Sequence, residues 1–317
     1  MWRTKLTELL GIDYPIIQGA MAYISESILV SAVCRAGATG VIATGGLATD
    51  YVRDQIRKCK EMTDRPFGVN LMLQSPNKDD IAQLVCDEKV GFVTIGAGNP
   101  VPFFAPLHQA GVRCIPVVPS VKLARRVQEK GADAMVIEGM EAGGHDGMQT
   151  VMALMENVIP EIEIPVIAAG GISDGRAVAA ALIMGAAGVQ MGSRFLLAEE
   201  CQVHRNVKQA ILDATDTDSV ITGFTHNSNV RGLKNAFSKK YLDREYAGAS
   251  QEELMSMAAG TNRDAAVKGD IENGFVQVGM SLNRLCRIQS AADIVAQTVD
   301  EAQTLLKNGP SLAGAGQ

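Results

Sequence analysis

The sequence predicts an α/β fold in which eight strand–helix units close into a barrel and a helical excursion follows the eighth strand. Three observations favour this fold class: eight short apolar runs recur along the chain, longer amphipathic stretches separate them, and the chain has 317 residues. Nearly continuous apolar runs are typical of strands buried on both faces, and their alternation with helices indicates a parallel sheet. Eight such units form a TIM (β/α)8 barrel of about 250 residues, which leaves chain for one appendage.

Each apolar run is expected to form one barrel strand. Helical patterns lie between the runs, as in residues 120–131, where Val121, Ala124 and Val127 share one face and Gly131 ends the helix. An open doubly wound sheet is the alternative, but no G-x-G-x-x-G motif follows the first run and eight units exceed the usual order of that fold. The predicted strands are Pro15–Met21, Thr39–Gly46, Phe67–Leu73, Phe92–Gly98, Val112–Ser120, Ala132–Gly139, Ile164–Gly171 and Gly188–Phe195.

The strand–helix rhythm stops after the eighth run. Residues 200–274 are more polar and more highly charged, and the stretches 229–243 and 250–262 are interpreted as helices within them. We expect residues 200–274 to be a helical excursion that covers the barrel mouth as a lid. Residues 1–199 and 275–317 are then expected to form the barrel domain.

The composition restricts the class of protein. Hydrophobic residues make up 47% of the chain and charged residues 20%, which is typical of a folded protein with a large core. The formal net charge is −6 and no basic run occurs, so a nucleic-acid-binding surface is not expected. The first residues lack the apolar stretch of a signal peptide, and the longest uncharged span, Val90–Val112, contains three prolines. We therefore expect a cytoplasmic protein without a membrane helix.

The cysteines and histidines do not indicate a metal centre. Six cysteines are spread along the chain without a C-x-x-C pair, and no two of the four histidines have a metal-binding spacing. The simplest interpretation is a set of structural thiols in a reducing compartment, so no metal site is expected.

Glycine is concentrated at the carboxyl ends of the predicted strands, where the active site of such a barrel forms. The loops after strands seven and eight are the usual phosphate-binding position of this fold. The backbone N–H groups of Gly170, Gly171 and Gly192 and the hydroxyl of Ser193 are predicted to bind a phosphate, although glycines also suit tight turns. The ligand could be FMN, a sugar phosphate or pyridoxal phosphate, but no predicted strand contains a lysine for a Schiff base.

Three polar residues stand out at the same end of the barrel. His145 follows the sixth strand in a glycine-rich loop, where it could donate a proton, orient a ligand or simply be solvated. Asn70 and Glu138 lie within apolar strands. Burying either group without a partner costs about 1–3 kcal/mol, so we expect a ligand or a structural hydrogen bond to satisfy each of them.

Seven motifs occur in the order in which one known family has them: PIIQGAMA, FGVNLML, TIGAGNP, IPVVPSV, EGMEAGGHDG, IPVIAAGGI and VQMGSRF. They resemble the family that contains the flavin-dependent enoyl-acyl-carrier-protein reductases (enoyl-ACP reductase II) and the nitronate monooxygenases, formerly called 2-nitropropane dioxygenases. The resemblance covers nearly the whole chain. It implies a TIM barrel that binds FMN without a separate Rossmann domain.

The resemblance also implies roles for individual residues. His145 matches the family's functional histidine and is implied to be catalytic, either by polarising the substrate carbonyl or by supplying a proton. Gly170, Gly171, Gly192 and Ser193 are implied to hold the FMN phosphate. The complete set of implied cofactor-binding residues is Gly19, Ala20, Met21, Asn70, Glu138, Gly143, Gly144, Ala168, Gly170, Gly171, Gly192 and Ser193.

Two activities compete within the family, and this sequence looks closer to the reductases. Glu138 stands where the monooxygenases tend to have glutamine, and Asp146 stands where they have arginine after the histidine. Met280 replaces a glutamine that both groups have near the flavin, so that contact is not assigned. In the predicted reaction, NADH or NADPH reduces FMN, which then reduces the double bond of a 2-enoyl thioester in fatty-acid synthesis.

The resemblance implies several partners: acyl-carrier protein bearing the enoyl thioester, NAD(P)H, a second copy of the chain in a homodimer and an activating monovalent cation. The main alternative activity is oxidation of alkyl nitronates by O2 as a nitronate monooxygenase. A non-catalytic flavin-binding protein and a barrel lyase without flavin are further alternatives.

Overall fold

Eight parallel strands close into a barrel in the computed structural model, which describes residues 2–312. The first strand pairs with the second, where Ile17 lies opposite Thr39, and with the last, where Ile17 lies opposite Gln190. Closure leaves the barrel without an exposed strand edge. The barrel strands are β1 (Ile16–Gln18), β2 (Thr39–Ile42), β3 (Gly68–Met72), β4 (Phe92–Gly96), β5 (Arg113–Val118), β6 (Met135–Glu138), β8 (Val166–Ala169) and β9 (Gly188–Met191), and β7 (Gly144–His145) lies outside the barrel.

Helices follow the barrel strands and form the outer layer. Several begin at a side chain that caps the first turn: the Ser120 hydroxyl accepts from the N–H of Leu123, and the Asp174 carboxylate accepts from those of Arg176 and Ala177. The α-helices are α1 (Lys5–Leu10), α2 (Ser27–Arg35), α3 (Thr49–Met62), α4 (Lys78–Asp87), α5 (Val101–Gln109), α6 (Val121–Glu129), α7 (Val151–Val158), α8 (Gly175–Ile183), α9 (Ser193–Leu196), α10 (Arg205–Asp213), α11 (Ala236–Tyr246), α12 (Gln251–Ala258), α13 (Thr261–Arg263) and α14 (Ala291–Leu312).

Two apolar layers lie on the two faces of the strands. Ile16 belongs to the layer between strands and helices, whereas its neighbour Ile17 belongs to the barrel interior, because successive strand residues point to opposite faces. The interior cluster includes Phe92, the first residue of β4, together with Leu6 and Leu10 of α1. Helix α1 therefore closes the amino-terminal end of the barrel.

The predicted fold is confirmed, because the eight predicted strands are the eight strands of the barrel. The observed strands are shorter than the apolar runs at their carboxyl ends. β1 ends at Gln18, although its run continues to Met21, because the N–H of Gly19 makes a last hydrogen bond to Met191 of β9 and the backbone from Gly19 onward lines a cavity.

Residues 200–274 contain the four helices α10 to α13 and also a β-hairpin that the sequence analysis does not predict. The interpretation of residues 229–243 as helix is wrong in its first part, where β11 (Val230–Leu233) precedes α11. β10 (Ser219–Thr222) pairs with β11, and β11 pairs with β7, all antiparallel. β11 pairs with the open edge of β7, which lies more than 80 residues earlier in the sequence. Local sequence patterns do not reveal a pairing partner so far away.

The long helix α14 packs on α8 and α2. Gly175 permits this approach, because a Cβ atom there would lie 2.5 Å from the carbonyl oxygen of Thr298. None of the helices in the described part of the chain combines the length and apolar character needed to cross a bilayer. Residues 1 and 313–317 of the predicted barrel domain lie outside the described residues.

Candidate active site

A cavity of about 600 Å³ opens at the carboxyl ends of the barrel strands. Loops that follow β1, β2, β3, β6, β8 and β9 form its wall, and the segment before and within α13 adds a rim. All but one of the predicted site residues line it, namely Gly19, Ala20, Met21, Asn70, Glu138, Gly143, Gly144, His145, Gly170, Gly171, Gly192 and Ser193.

The exception is Ala168, which the structure places outside the cavity. Ala168 is fully buried in the layer between strands and helices, whereas Ala169 belongs to the barrel interior and lines the cavity. Side chains alternate along a strand, so Ala169 and not the predicted Ala168 presents its side chain to the cavity.

The loops after β8 and β9 offer unpaired donors. Gly170 and Gly171 have φ values of 102° and 69°, and within the described chain no group accepts from their backbone N–H groups. The Ser281 hydroxyl holds this loop by donating to the carbonyl of Gly171 over 2.5 Å. The hydroxyl of Ser193 accepts from the N–H of Gly279 over 2.8 Å, which leaves its own proton to donate. This arrangement suits a phosphate.

Gly192 leaves open space in the cavity wall. A Cβ atom at this position would meet only the Sδ atom of Met21, at 3.9 Å. Its φ of −108° is open to other residues, so backbone geometry does not require glycine here. The missing side chain therefore makes room for a ligand.

Glycine is required at positions 143 and 144 by the backbone of the protein and not by the space that a ligand would occupy. A Cβ atom at Gly143 would lie 2.6 Å from the carbonyl carbon of Val278, so this glycine lets two backbone segments touch. Gly144 has a φ of 89°, in the region that favours glycine, and Gln277 lies beside it. Gln277 lines the cavity, whereas the exposed Met280 does not.

Asn70 and Glu138 present acceptors to the cavity. The Asn70 amide donates to the carbonyl and hydroxyl of Thr94 over 3.3 and 3.2 Å, and its own oxygen has no partner among the described residues. The Glu138 carboxyl has no hydrogen bond within residues 2–312 either. Burial, aided by the nearby Asp146 carboxylate, raises the pKa of Glu138 to about 7.

His145 lies at the cavity on the short strand β7, which pairs with Val230 of β11. Its side chain is partly open to solvent, yet desolvation lowers the pKa of the imidazole below its ordinary 6.5. The ring is therefore mostly neutral at pH 7 and can donate one N–H hydrogen bond. None of the described residues forms a hydrogen bond with the ring, so both nitrogens are available to a ligand.

A buried ion pair lies directly behind His145. The Asp146 side chain is fully buried, and its Oδ2 atom lies 3.7 Å from Nε of Arg231. Arg231 donates from Nε to the carbonyl of Met140 over 2.8 Å and from Nη1 to Ser219 over 3.1 Å. Burial raises the pKa of Asp146 to about 6 although Arg231 opposes that shift. Neither carboxylate oxygen of Asp146 has a hydrogen bond among the described residues, and the backbone pairing of β7 with β11 holds His145 opposite Val230.

Sequence analysis missed several polar residues that line the cavity. Gln277 carries a signal, because it is a polar residue inside the apolar run 275–280. Glu141, whose carboxylate accepts from the N–H of Val151 over 2.9 Å, lies in a motif that was recognised without this residue being singled out. Asn262 and Arg263 had no signal, because only the folding of the segment brings them to the rim.

A group with metal-binding side chains lies outside the cavity. His108, Cys114 and Asp133 place ligand atoms within 4.8 Å of one another. The carboxylate of Asp133 already pairs with His108 over 2.8 Å and accepts from the N–H of Cys114 over 2.7 Å. Burial raises the pKa of the Cys114 thiol to about 12, so the thiol is protonated. Hydrogen bonding within the fold accounts for this group.

The cavity fits FMN by the chemistry of its wall. Unpaired N–H groups and the Ser193 hydroxyl suit a phosphate, and the open face of Gly192 leaves space beside them. The unpartnered oxygens of Asn70 and Glu138 can accept from the N–H edge of a ring system. Met21 and other apolar residues supply a surface for the ring itself.

Comparison with known proteins gives consistent matches. The model of the nitronate monooxygenase family matches residues 3–88 and 78–301. The chain is 39% identical to FabK from Thermotoga maritima, covering 98% of this chain and 100% of that structure with a TM-score of 0.95. It is 26% identical to a nitroalkane oxidase from Streptomyces ansochromogenes, with a TM-score of 0.84 and coverage of 95% and 98%.

Two curated relatives add detail. The nitronate monooxygenase of Paraburkholderia phytofirmans is 30% identical over 93% of this chain and 94% of its own length. The (3aS,4S,5R,7aS)-5-hydroxy-7a-methyl-1-oxo-octahydro-1H-indene-4-carboxyl-CoA dehydrogenase of Mycobacterium tuberculosis is 40% identical over 71% of this chain. That alignment spans 65% of the Mycobacterium protein, slightly less than two thirds of its length.

Proposed function

The chain belongs to the nitronate monooxygenase family of flavin oxidoreductases, and from this premise we propose that it is an FMN-dependent enoyl-acyl-carrier-protein reductase. The net reaction consumes a 2-enoyl thioester, NAD(P)H and a proton, and it yields the saturated acyl thioester and NAD(P)⁺. One observation carries the proposal: the match to FabK, an enoyl-ACP reductase II, extends over almost the entire chain. The proposed partners are acyl-carrier protein, NAD(P)H and a second copy of the chain.

Further observations support a thioester substrate. The Mycobacterium relative is named for a carboxyl-CoA compound, which is also a thioester of a carboxylic acid. The residue after His145 is Asp146, where the monooxygenases have arginine. Its carboxylate is buried against Arg231, so this position presents no positive charge to the cavity. The apolar part of the wall, which includes Met21, Ile24, Met72 and Leu196, suits an acyl chain.

Different residues of this chain would bind the cofactor and polarise the substrate. Gly170, Gly171, Gly192 and Ser193 would hold the FMN phosphate, and bound FMN would supply the hydride chemistry of the reaction. His145, neutral at pH 7, would donate its N–H hydrogen bond to the thioester carbonyl. Such a bond stabilises the negative charge that develops on that oxygen when the β-carbon receives hydride. The α-carbon takes up the proton.

Nitronate oxidation by O2 is the second candidate. The matching family model and relatives that align over almost their full length, such as the Paraburkholderia protein, favour it. Both activities would use the same cavity, so the distinction lies in the substrate that reoxidises the flavin and in the need for a pyridine nucleotide.

Anaerobic stopped-flow absorbance of the FMN-loaded protein tests the proposal. We expect NADH or NADPH to bleach the flavin and crotonyl thioester to restore its absorbance. Reduction by neither nucleotide, combined with reduction by an alkyl nitronate, would instead support the monooxygenase activity.

His145→Ala tests the role of the histidine in the same experiment. We expect thioester-dependent reoxidation to slow by about 10²–10⁴-fold, because removing a positioned acid–base or hydrogen-bonding group has effects of this size. Reduction by the nucleotide should keep its rate. His226→Ala is the matched control, since His226 binds the carbonyl of Ala249 over 3.1 Å and does not line the cavity. Equal effects of both variants would contradict the role of His145.

A further inference from the structure

Arg263 is the single lysine or arginine among the residues that line the cavity. It comes from α13, outside the barrel strands and their loops, and its side chain is exposed. Within residues 2–312 its guanidinium forms neither a hydrogen bond nor an ion pair, and the neighbouring Asn262 amide, which also lines the cavity, is equally without a partner. Two adjacent side chains with hydrogen-bond donors thus face the cavity, and neither has a partner among the described residues.

The backbone holds this pair at the rim. Gly260 enters α13 with a φ of 78°, and the carbonyl of Thr261 accepts from the N–H of Phe275 over 3.0 Å. After Arg263 the chain continues as a π-helical turn, Asp264–Lys268, in which Ala265 and Ala266 are buried. Turns of this kind are rare and occur frequently at functional sites. Arg263 is therefore placed by anchored backbone on both sides.

The charge of Arg263 is isolated in its surroundings. The other ionisable groups of the cavity wall are the carboxyls of Glu138 and Glu141, the imidazole of His145 and the phenol of Tyr23. The chain as a whole has a net charge of −6. A planar guanidinium in such a place is suited to a phosphate, which it can bind through two parallel hydrogen bonds.

We propose that Arg263, assisted by Asn262, binds a phosphate group of the co-substrate that enters the cavity. The phosphate of FMN has its own donors at Gly170, Gly171 and Ser193, so a phosphate at Arg263 belongs to a second molecule. The identity of that molecule rests on the proposed function. Both the pyrophosphate of NAD(P)H and the phosphopantetheine arm of a carrier-protein or coenzyme A thioester supply the required chemistry.

Anaerobic calorimetry tests this site apart from turnover when NADH is added to protein whose FMN is already reduced and the thioesters are added to protein with oxidised FMN, because neither titration then transfers hydride. The ligands are NADH, crotonyl-coenzyme A and crotonyl-N-acetylcysteamine, which has the same thioester without phosphate. We expect Arg263→Ala to raise the Kd of a phosphate-bearing ligand about tenfold, the size of one charge-assisted hydrogen bond. Arg263→Lys should recover part of the affinity, and the phosphate-free thioester should bind all variants equally. Arg205→Ala, an exposed arginine of α10 outside the cavity wall, is the control for net charge.

The pattern of losses identifies the ligand. A loss confined to NADH assigns the site to the nucleotide, and a loss confined to crotonyl-coenzyme A assigns it to the thioester arm. The proposal is overturned if Arg263→Ala binds both ligands as tightly as the wild type, if it loses FMN, if the phosphate-free thioester weakens equally, or if the wild type binds neither ligand. Failure of the wild type to oxidise NADH with crotonyl-coenzyme A, while both still bind through Arg263, would reject the enoyl reductase activity and leave this site standing.

Discussion

The two ends of the barrel are built from the same eight strands but are filled in opposite ways. At the amino-terminal end, Ile17 and Phe92 fill the interior, and Leu6 and Leu10 of α1 close it. At the carboxyl-terminal end the interior opens into a cavity of about 600 Å³ with a wall rich in glycine. Apolar burial stabilises the first end, whereas the second end keeps space and polar groups that a fully packed core would not have.

This difference indicates a division of labour along each strand. A substitution that removes volume at the amino-terminal end should destabilise the fold without affecting ligand binding. A substitution at the carboxyl-terminal end should weaken ligand binding with little effect on stability. Three predictions test this division, beginning with the largest expected effect.

Removal of the Phe92 ring should cause the largest loss of stability. The ring is fully buried in the barrel interior, so Phe92→Ala leaves a cavity and should lower the free energy of unfolding by about 3–5 kcal/mol. Chemical denaturation measures the loss, and FMN titration of the folded variant should give an unchanged Kd. Phe224→Ala is the matched control, because Phe224 is 48% exposed and its removal should cost less than about 0.5 kcal/mol. Similar losses in the two variants would contradict the comparison.

The sequence was sufficient to predict the filled end of the barrel. Runs such as Phe92–Gly98 are apolar because both faces of each strand are covered, and eight of them leave one common way to close the sheet. The glycines of the open end were also visible, since Gly170, Gly171 and Gly192 follow strands. These signals are local in the sequence. They predict the fold correctly because the barrel pairs strands that follow one another along the chain.

The remaining features depend on contacts between distant parts of the chain. β11 exists because β7 offers it an edge, and Arg263 reaches the cavity because α13 is anchored near Phe275. The choice between Ala168 and Ala169 depends on the direction of side chains in β8, which a continuous apolar run does not encode. Such features require the three-dimensional structure.

Two glycines at opposite ends of β9 allow the same substitution to be compared. A Cβ atom at Gly188 would collide with Leu6 and lie 2.7 Å from the carbonyl oxygen of Pro15, whereas one at Gly192 would enter the open cavity. Gly188→Ala should therefore lower the free energy of unfolding by about 1–3 kcal/mol through overpacking. Gly192→Ala should leave the stability of the flavin-free protein within about 0.5 kcal/mol of the wild type.

FMN binding should respond in the opposite order. Gly192→Ala should weaken FMN about tenfold and Gly192→Val about 100-fold, because the added atoms occupy ligand space at a cost of about 1–3 kcal/mol. Folded Gly188→Ala should bind FMN as tightly as the wild type. Flavin fluorescence titration gives both constants, and a Gly192→Val protein that retains full affinity would show that FMN does not occupy this face.

The third prediction concerns Glu138, a carboxyl that the open end leaves without a partner. Its pKa is raised from an ordinary 4.5 to about 7, so between these pH values the folded protein keeps a proton that the unfolded chain releases. The folded state binds more protons in this window, and stability must therefore fall as pH rises through it. The raised pKa of Asp146 acts in the same direction, and the lowered pKa of His145 acts in the opposite direction.

Glu138→Gln isolates this contribution, because Asp146 and His145 remain in both proteins. In the flavin-free form, the variant should gain about 2 kcal/mol relative to the wild type between pH 5 and pH 7. Urea denaturation at a series of pH values measures the difference. Glu156→Gln removes an exposed carboxyl of α7 and should follow the wild-type curve. Parallel curves for Glu138→Gln and the wild type would mean that Glu138 is already charged and stabilised in the folded protein. The unpartnered carboxyl at the open end of the barrel would then not lower the free energy of unfolding.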